Sequence, residues 1–169
     1  MLGAVNKRLR EEFARLQVEV DEEKSRIANL DRAESFGFPG FDFRRLRSIG
    51  RQVWRAHYTP KMKKRTALLR KLKDVFRRFQ SEPVDRVVQP INPILRGWVN
   101  YFAIGHSSEC FAFIRDWVEK KIRRPMGRSR NRRGFGWKRW SRRWLYEEPK
   151  LFNGCRVRRL SPPKALPAR

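Results

Sequence analysis

Apolar residues recur with helical spacing along several stretches of this chain. The most regular stretch covers residues 60–80, and a second one covers residues 3–18. The stripe within 60–80 consists of Leu68, Leu72, Val75, Phe76 and Phe79. Because residues three and four positions apart share one face of an α-helix, both stretches are predicted to be amphipathic helices.

Two further helical patterns meet at Gly105. Asn92 suits the N-cap of the first, and Pro93 suits its first helical position, where the missing N–H costs nothing. A short apolar turn at 84–88 precedes this helix, and Pro90 is expected to kink or end that turn. The aromatic residues of the two patterns predicted to lie in the core are Trp98, Tyr101, Phe102, Phe111 and Trp117. Helical stripes of this kind are buried only against one another, so a helical bundle is predicted.

Alternating aromatic residues predict a small sheet ahead of these helices. Phenylalanines alternate over residues 36–43, and Pro39-Gly40 between them indicates a turn or bulge. Residues 44–58 predict a hairpin around Ser48–Gly50, and residues 26–30 are short enough for one more strand. The fold class predicted is therefore mainly α, with a small α+β part in front of the helical bundle.

Charge is the most unusual property of the sequence. Among 169 residues, 42 are Lys or Arg and 17 are Asp or Glu, which gives a net charge of +25. Repulsion on this scale opposes compaction unless a polyanion shares the surface, so nucleic acid is the leading partner, with RNA favoured and DNA an alternative. A membrane partner is not predicted, because the charge is spread along the chain and no apolar run reaches transmembrane length. Without a secretory signal pattern, the cytoplasm is the expected location.

The cations of the 60–80 helix are the first candidates for phosphate contact. Nine Lys or Arg surround its apolar stripe, against the single acid Asp74. A solvated helix face usually mixes both signs, so this imbalance favours phosphate binding over simple solubility. The candidates on this helix are Lys61, Lys63, Lys64, Arg70, Lys71, Arg77 and Arg78.

The segment 120–143 supplies the remaining candidates, with twelve Lys or Arg and no acid. Pro125 and Gly127 are expected to interrupt any long helix here. Trp137 and Trp140 offer flat faces on which unpaired RNA bases can stack, although docking of these rings on the domain is an equal alternative. The cations proposed here, together with one from the preceding helix, are Arg96, Lys120, Lys121, Arg123, Arg124, Arg128, Arg130, Arg132 and Arg133.

No catalytic or metal-binding constellation is predicted. The acids at 21–23 are consecutive and do not converge as an acid–base pair. His106 and Glu109 could meet on one helical turn, but a third ligand is not evident, and Cys110 and Cys155 suggest neither a zinc site nor a disulfide framework. A glycine-rich phosphate loop and a nucleophile motif are also missing, so no cofactor is expected.

Six landmarks, taken in order, resemble the C-terminal part of bacterial group II intron reverse transcriptase/maturases. They are Val20–Ser25, Ser35–Phe43 with Arg44 and Arg45, Tyr58–Lys61, Ile91–Phe102, Phe113–Val118 and Arg133–Lys138. The most specific is Asn-Pro-Ile-Leu-Arg-Gly-Trp-Val-Asn-Tyr-Phe, which ends at Phe102. The resemblance covers nearly the whole chain.

This resemblance implies a division of the chain. Residues 1–58 would be the end of a polymerase palm with its primer-grip strands, and 59–124 the thumb and maturase-specific domain, also called domain X. Residues 125–160 form a basic aromatic extension, and the proline-rich tail 161–169 is expected to be disordered. The implied function is to bind structured intron RNA and assist its splicing.

Three departures from the family pattern limit that expectation. The catalytic aspartates of the polymerase lie N-terminal to the matched region, so the chain itself is not expected to be an enzyme. Pro39 stands where the family usually has Leu, and no Cys- or His-rich endonuclease module follows. Two alternatives remain open: the C-terminal half of a split reverse transcriptase that acts with an N-terminal fragment in trans, and a mobile-element fragment without function.

Overall fold

The protein was analysed as a computed structural model that describes residues 2–19, 28–30, 34–48, 50, 52–128 and 136–158. The chain divides into two compact units, residues 1–35 and 36–169. In the first unit, helix α1 spans Leu2–Arg15, as its apolar spacing predicts. Its side chains Val5 and Leu9 are exposed. Of the strand predicted at 26–30, the described residues 28–30 are not in a strand, and the other two lie outside the described residues.

The second unit begins with a three-stranded antiparallel sheet in the order β1-β2-β3. The strands are β1, Phe36–Phe38; β2, Phe41–Arg47; and β3, Trp54–Pro60. Gly40, with φ +84°, makes the turn between β1 and β2, a conformation that residues with a Cβ rarely adopt. Phe38 pairs with Phe41, and Phe43 pairs with Tyr58. The predicted turn at Pro39-Gly40 and the predicted hairpin over 44–58 are confirmed.

Four helices follow the sheet in the part of the chain that the structure describes. They are α2, Met62–Arg78; α3, Val84–Phe102; α4, Ser108–Arg128; and α5, Arg142–Glu147. The main core lies where α2, α3 and α4 meet, and it includes Leu72, Ile91 and Ile114, each fully buried. The fold is mainly helical with a small sheet in front, as the sequence predicts.

The predicted break at Pro90 and the predicted helix start at Asn92 are both wrong, because α3 is continuous there. It continues through both Pro90 and Pro93. Each proline removes a helical hydrogen bond at a cost of about 3 kcal/mol or more. The five buried side chains of α3 contribute roughly 1.5–3 kcal/mol each, and their stripe stays in phase across both prolines. Burial therefore outweighs the local preference for a break.

Asn92 holds the C-terminal segment rather than capping a helix. Its Nδ2 donates to the carbonyl oxygen of Lys150 at 2.9 Å, and its Oδ1 accepts from the backbone N–H of Phe152 at 2.8 Å. The neighbouring Leu151 is buried in the main core. One amide side chain thus anchors residues 150–152 to the surface of α3.

Replacing Asn92 with alanine is expected to lower the free energy of unfolding by about 1–3 kcal/mol, because a backbone donor and a backbone acceptor lose their partner. Hydrogen exchange at the Phe152 amide should accelerate. Asn100→Ala is the matched control, since Asn100 is exposed and accepts one bond, from the exposed Arg158. Denaturant titration and exchange measurements on both variants check this, and unchanged Phe152 exchange in Asn92→Ala would contradict it.

Helix α4 also passes a proline, so the expected interruption at Pro125 and Gly127 is wrong. Ile122 and Arg123 are buried just before Pro125, and Met126 packs against the main core just after it. These contacts on both sides of the proline keep the helix on the core through Arg128.

The sheet packs on the helices through a second apolar cluster. Phe41 of β2 lies there with Val99 and Phe102 of α3 and Phe111 of α4. The loop between α3 and α4 also bonds to the edge strand β3, since the His106 N–H donates to the Tyr58 carbonyl at 2.9 Å. The sheet and the start of α2 are therefore held in a defined position.

Candidate nucleic-acid interface

The cations of α2 form two rows: one lies opposite the buried residues Leu68 and Leu72, and the other lies beside Leu68 on the side that faces α3. Residues seven positions apart lie nearly in line along an α-helix, about 10.5 Å apart. One row is Lys63, Arg70 and Arg77, and the other is Lys64, Lys71 and Arg78; all six are exposed. These six side chains are called the cationic rows below.

Two of the other charged residues of this region, Asp74 and Lys61, change the charge of this face only slightly. Asp74 lies between the rows and pairs with Arg77 at 3.6 Å, but both side chains are more than 60 % exposed, so water screens the pair. Lys61 precedes α2 and is half-buried, and its backbone N–H donates to the Gly40 carbonyl at 2.9 Å. The rows therefore form a contiguous positive face.

The candidates outside α2 are more scattered. Arg96 is exposed on α3 and lies 5.8 Å from the ring of Phe152. On α4, Lys120 and Arg124 are exposed, and Lys121 places its Nζ over Trp117 at 5.4 Å. Arg128 ends α4. The Arg128 side chain and residues Arg130, Arg132 and Arg133 lie outside the described residues.

Arg123 was predicted to contact RNA, but its side chain is fully buried. Its Nη1 donates to Glu119 at 3.1 Å and its Nε to the Trp140 carbonyl at 2.7 Å. The guanidinium lies 4.1 Å from the ring centroid of Trp137. This arginine joins α4 to the segment that leads into α5, and no face of it is open to a phosphate.

Glu119 is the acceptor at the centre of this buried network. Besides Arg123, it accepts from Arg142 Nε and from the Tyr146 hydroxyl, both at 2.8 Å. Burial, together with the hydrogen bond to Glu119, raises the pKa of Tyr146 well above its ordinary value. At neutral pH the phenol therefore stays a hydrogen-bond donor, and α4 and α5 are joined through one carboxylate.

The two tryptophans of the C-terminal segment differ in exposure. Trp140 is 5 % exposed, so the prediction that its ring stacks on bases is wrong. Its backbone N–H donates to Gly136, which has φ +66°, and this tight turn folds the ring inward. Trp137 is 43 % exposed and keeps part of its ring at the surface above Arg123.

The predicted aromatic core is only partly confirmed. Phe102 and Phe111 are buried, and Trp98 and Trp117 are half-buried against the core. Tyr101 is 56 % exposed, so its assignment to the core is wrong. Its helical spacing places it at the border of the stripe, where the hydroxyl reaches the Pro39 carbonyl at 2.9 Å.

Strands β2 and β3 carry exposed cations that were absent from the sequence-based candidates. Arg44, Arg47 and Arg55 are exposed, and Arg45 lies 5.2 Å from the ring of Trp54. The hairpin was predicted, but its arginines were not among the candidates. The signal for them in the sequence is the number of arginines in the predicted hairpin 44–58.

The structure also defines the surroundings of the two histidines and the two cysteines. His57 and His106, remote in sequence, stack with ring centroids 4.1 Å apart, and burial with the nearby His106 lowers the pKa of His57. Cys110 and Cys155 are free, and burial raises the pKa of both thiols. Within the described parts of the chain, His, Cys, Asp and Glu side chains form no group of three able to hold a metal ion.

None of the helices in the described residues is long and apolar enough to cross a bilayer.

Fold and charge together define a class: a basic helical domain, with a contiguous positive face, behind a small antiparallel sheet. Residues 65–145 match the family model of the group II intron maturase-specific domain, from the first turn of α2 into α5. This match supports the presence in the chain of a C-terminal maturase portion of a group II intron protein. A comparison with curated proteins found no match.

Proposed function

We propose that this chain binds group II intron RNA through the cationic rows and thereby assists splicing. The single observation that carries the proposal is the arrangement of six exposed cations in two rows on α2, four of them within the matched maturase-specific domain. The matched domain is the non-catalytic part of such proteins, and we assign the bond chemistry of splicing to the RNA.

Phosphate is the ligand chemistry that this surface favours. A net charge of +25 opposes compaction, and a polyanion on the rows relieves that repulsion. Lysine and arginine at regular spacing neutralise successive phosphates without reading bases, which fixes the position of an RNA segment on the helix. The exposed Lys120 and Arg124 of α4 would extend the contact surface.

Splicing itself tests the proposal. At a magnesium concentration where a group II intron RNA reacts slowly alone, added protein is expected to raise the splicing rate at least about tenfold, a barrier change of about 1.4 kcal/mol. A variant with alanine at Lys63, Lys64, Arg70 and Lys71 should lose most of that effect. Equal stimulation by both proteins would contradict the assignment to the rows, and no stimulation by either would contradict the function.

A second candidate function rests on a different observation. Strand β1 is an edge of the sheet, and its Phe36 and Phe38 are 39 % and 65 % exposed. An exposed apolar edge strand is suited to pairing with another polypeptide. As the alternative, this edge would receive the catalytic palm of a reverse transcriptase; primer extension after mixing the two would support it, and tight intron binding without extension would reject it.

A further inference from the structure

A groove of about 500 Å³ lies between α2 and α3, beside the row that contains Lys64 and Lys71. Two small exposed residues, Ala67 on α2 and Gly97 on α3, line it and keep it open. A Cβ built on Gly97 meets no atom within 4 Å, so the space above this glycine is empty of protein. The volume is within the range of sites that hold small ligands.

The groove ends at a tyrosine ring held in a fixed position. The hydroxyl of Tyr101 donates to the Pro39 carbonyl at 2.9 Å, and its ring lies nearly parallel to Phe41 with an interplanar angle of 18°. Phe102 contacts it edge-on at 4.7 Å between centroids. Although three groups fix the ring, 56 % of the residue is exposed. A ring ordered in advance loses little entropy when a ligand stacks on it.

A second ring lies deeper in the groove. Trp98 also lines it, half-buried and tilted onto Phe102 at 4.4 Å. The groove thus has an exposed ring at its end and part of an indole in its wall. Such flat faces accept any base, because every base has a π-face.

The charged residues beside the groove indicate which class of ligand it can bind. Lys64 and Lys71 are exposed, and they lie seven residues apart, about 10.5 Å along the helix. Among the described residues that line the groove, none is acidic. Cations beside flat aromatic faces suit a nucleotide whose base is unpaired, whereas bases stacked inside a duplex cannot reach such a ring.

We propose that the α2–α3 groove holds an unpaired nucleotide of RNA, with its base against Tyr101 and Trp98 and its phosphates on Lys64 and Lys71. This inference rests on the proposed RNA-binding function and adds to it a preference for RNA with unpaired bases. Paired RNA lies along the cationic rows, and a base from a loop or bulge enters the groove. The protein therefore discriminates RNA with unpaired bases from uniform duplex.

Two substitutions at one position test this inference. Gly97→Leu places a side chain in the groove without removing any contact, and Gly97→Ala is the matched control. Neither should weaken the fold, since glycine is among the poorest helix formers. Gly97→Leu is expected to bind a short oligouridine about tenfold more weakly than wild type, and Gly97→Ala within about twofold of it. Both variants should bind an RNA duplex of equal length as wild type does.

Photochemical cross-linking identifies the residues that contact the base. Oligouridine that contains photoreactive iodouridine should cross-link to Tyr101 or Trp98 in the wild-type protein and lose that cross-link in Gly97→Leu. Unchanged oligouridine affinity and cross-linking in Gly97→Leu would overturn the groove assignment and leave the proposed function intact. Failure of the wild-type protein to bind either RNA would instead overturn the proposed function, and the inference with it.

Discussion

Replacing Glu119 with alanine is expected to lower the free energy of unfolding by about 3–5 kcal/mol. Glu119 and Arg123 are both fully buried, and their ion pair is 3.1 Å long. Removal of the carboxylate leaves the arginine charge inside the protein without its counter-ion. It also removes the acceptor of Arg142 and Tyr146, so α5 should loosen from α4. Denaturant unfolding followed by tryptophan fluorescence measures the loss.

Glu147 provides a matched control for this prediction. It pairs with Arg143 at 2.7 Å with the same i,i+4 spacing, but both side chains are largely exposed. Water screens such exposed pairs, so Glu147→Ala should be close to wild type in stability. The double variant Glu119→Leu with Arg123→Met should be milder than Glu119→Ala, because neither charge is then buried. Equal losses in Glu119→Ala and Glu147→Ala would contradict the structure.

Replacing Lys63, Lys64, Arg70 and Lys71 with alanine is expected to weaken binding of structured intron RNA roughly 100- to 1,000-fold at physiological salt. Each phosphate contact releases a condensed counterion, and four contacts are removed together. The fold should be retained, because all four side chains are exposed and alanine is the best helix former. Filter binding or fluorescence anisotropy measures the affinity.

A charge-matched control separates the rows from overall charge. Lys7, Arg8, Arg10 and Arg15 are exposed on α1, and their replacement by alanine removes the same four charges. This control should bind within about threefold of wild type, because it leaves every cation of the cationic rows in place. If the control lost as much affinity as the α2 variant, net charge and not the rows would explain binding.

Local patterns were sufficient for the β1–β2 pair and for α2, although every residue of β1 is exposed. The alternating phenylalanines at 36–43 predicted the β1–β2 hairpin, and the stripe around Leu68 and Leu72 predicted α2. In both cases the apolar period and the local turn or helix preference agree, so the prediction needs no knowledge of the partner element.

Prediction failed where tertiary packing opposes a local rule. Pro90 and Pro125 favour a helix end and Pro93 favours a helix start, yet each lies inside a helix. The rule that proline interrupts a helix describes an isolated segment. Whether the helix continues in the folded protein also depends on how much apolar surface the continuous helix buries. The apolar stripe of α3 does run unbroken from Val84 to Phe102, and giving it more weight than the prolines would have predicted one helix.

Predictions of the candidate site succeeded and failed for the same reasons as predictions of the fold. Composition identified α2 as the cationic helix, but it could not separate a buried cation from an exposed one in segment 120–143. Arg123 and Trp140 were assigned to RNA and are buried, while Tyr101 was assigned to the core and is exposed. Whether a position at the border of a helical stripe is covered depends on the neighbouring element, which spacing alone does not specify.

The salt dependence of RNA binding tests the central claim most directly. Affinity for a structured intron RNA is measured across salt concentrations for wild type, for the four-alanine variant of α2 and for the charge-matched variant of α1. If the rows contact phosphates, the α2 variant loses about one unit of slope in a plot of log affinity against log salt for each contact removed, while the α1 variant keeps the wild-type slope. An unchanged slope in the α2 variant would show that the cationic rows do not touch RNA.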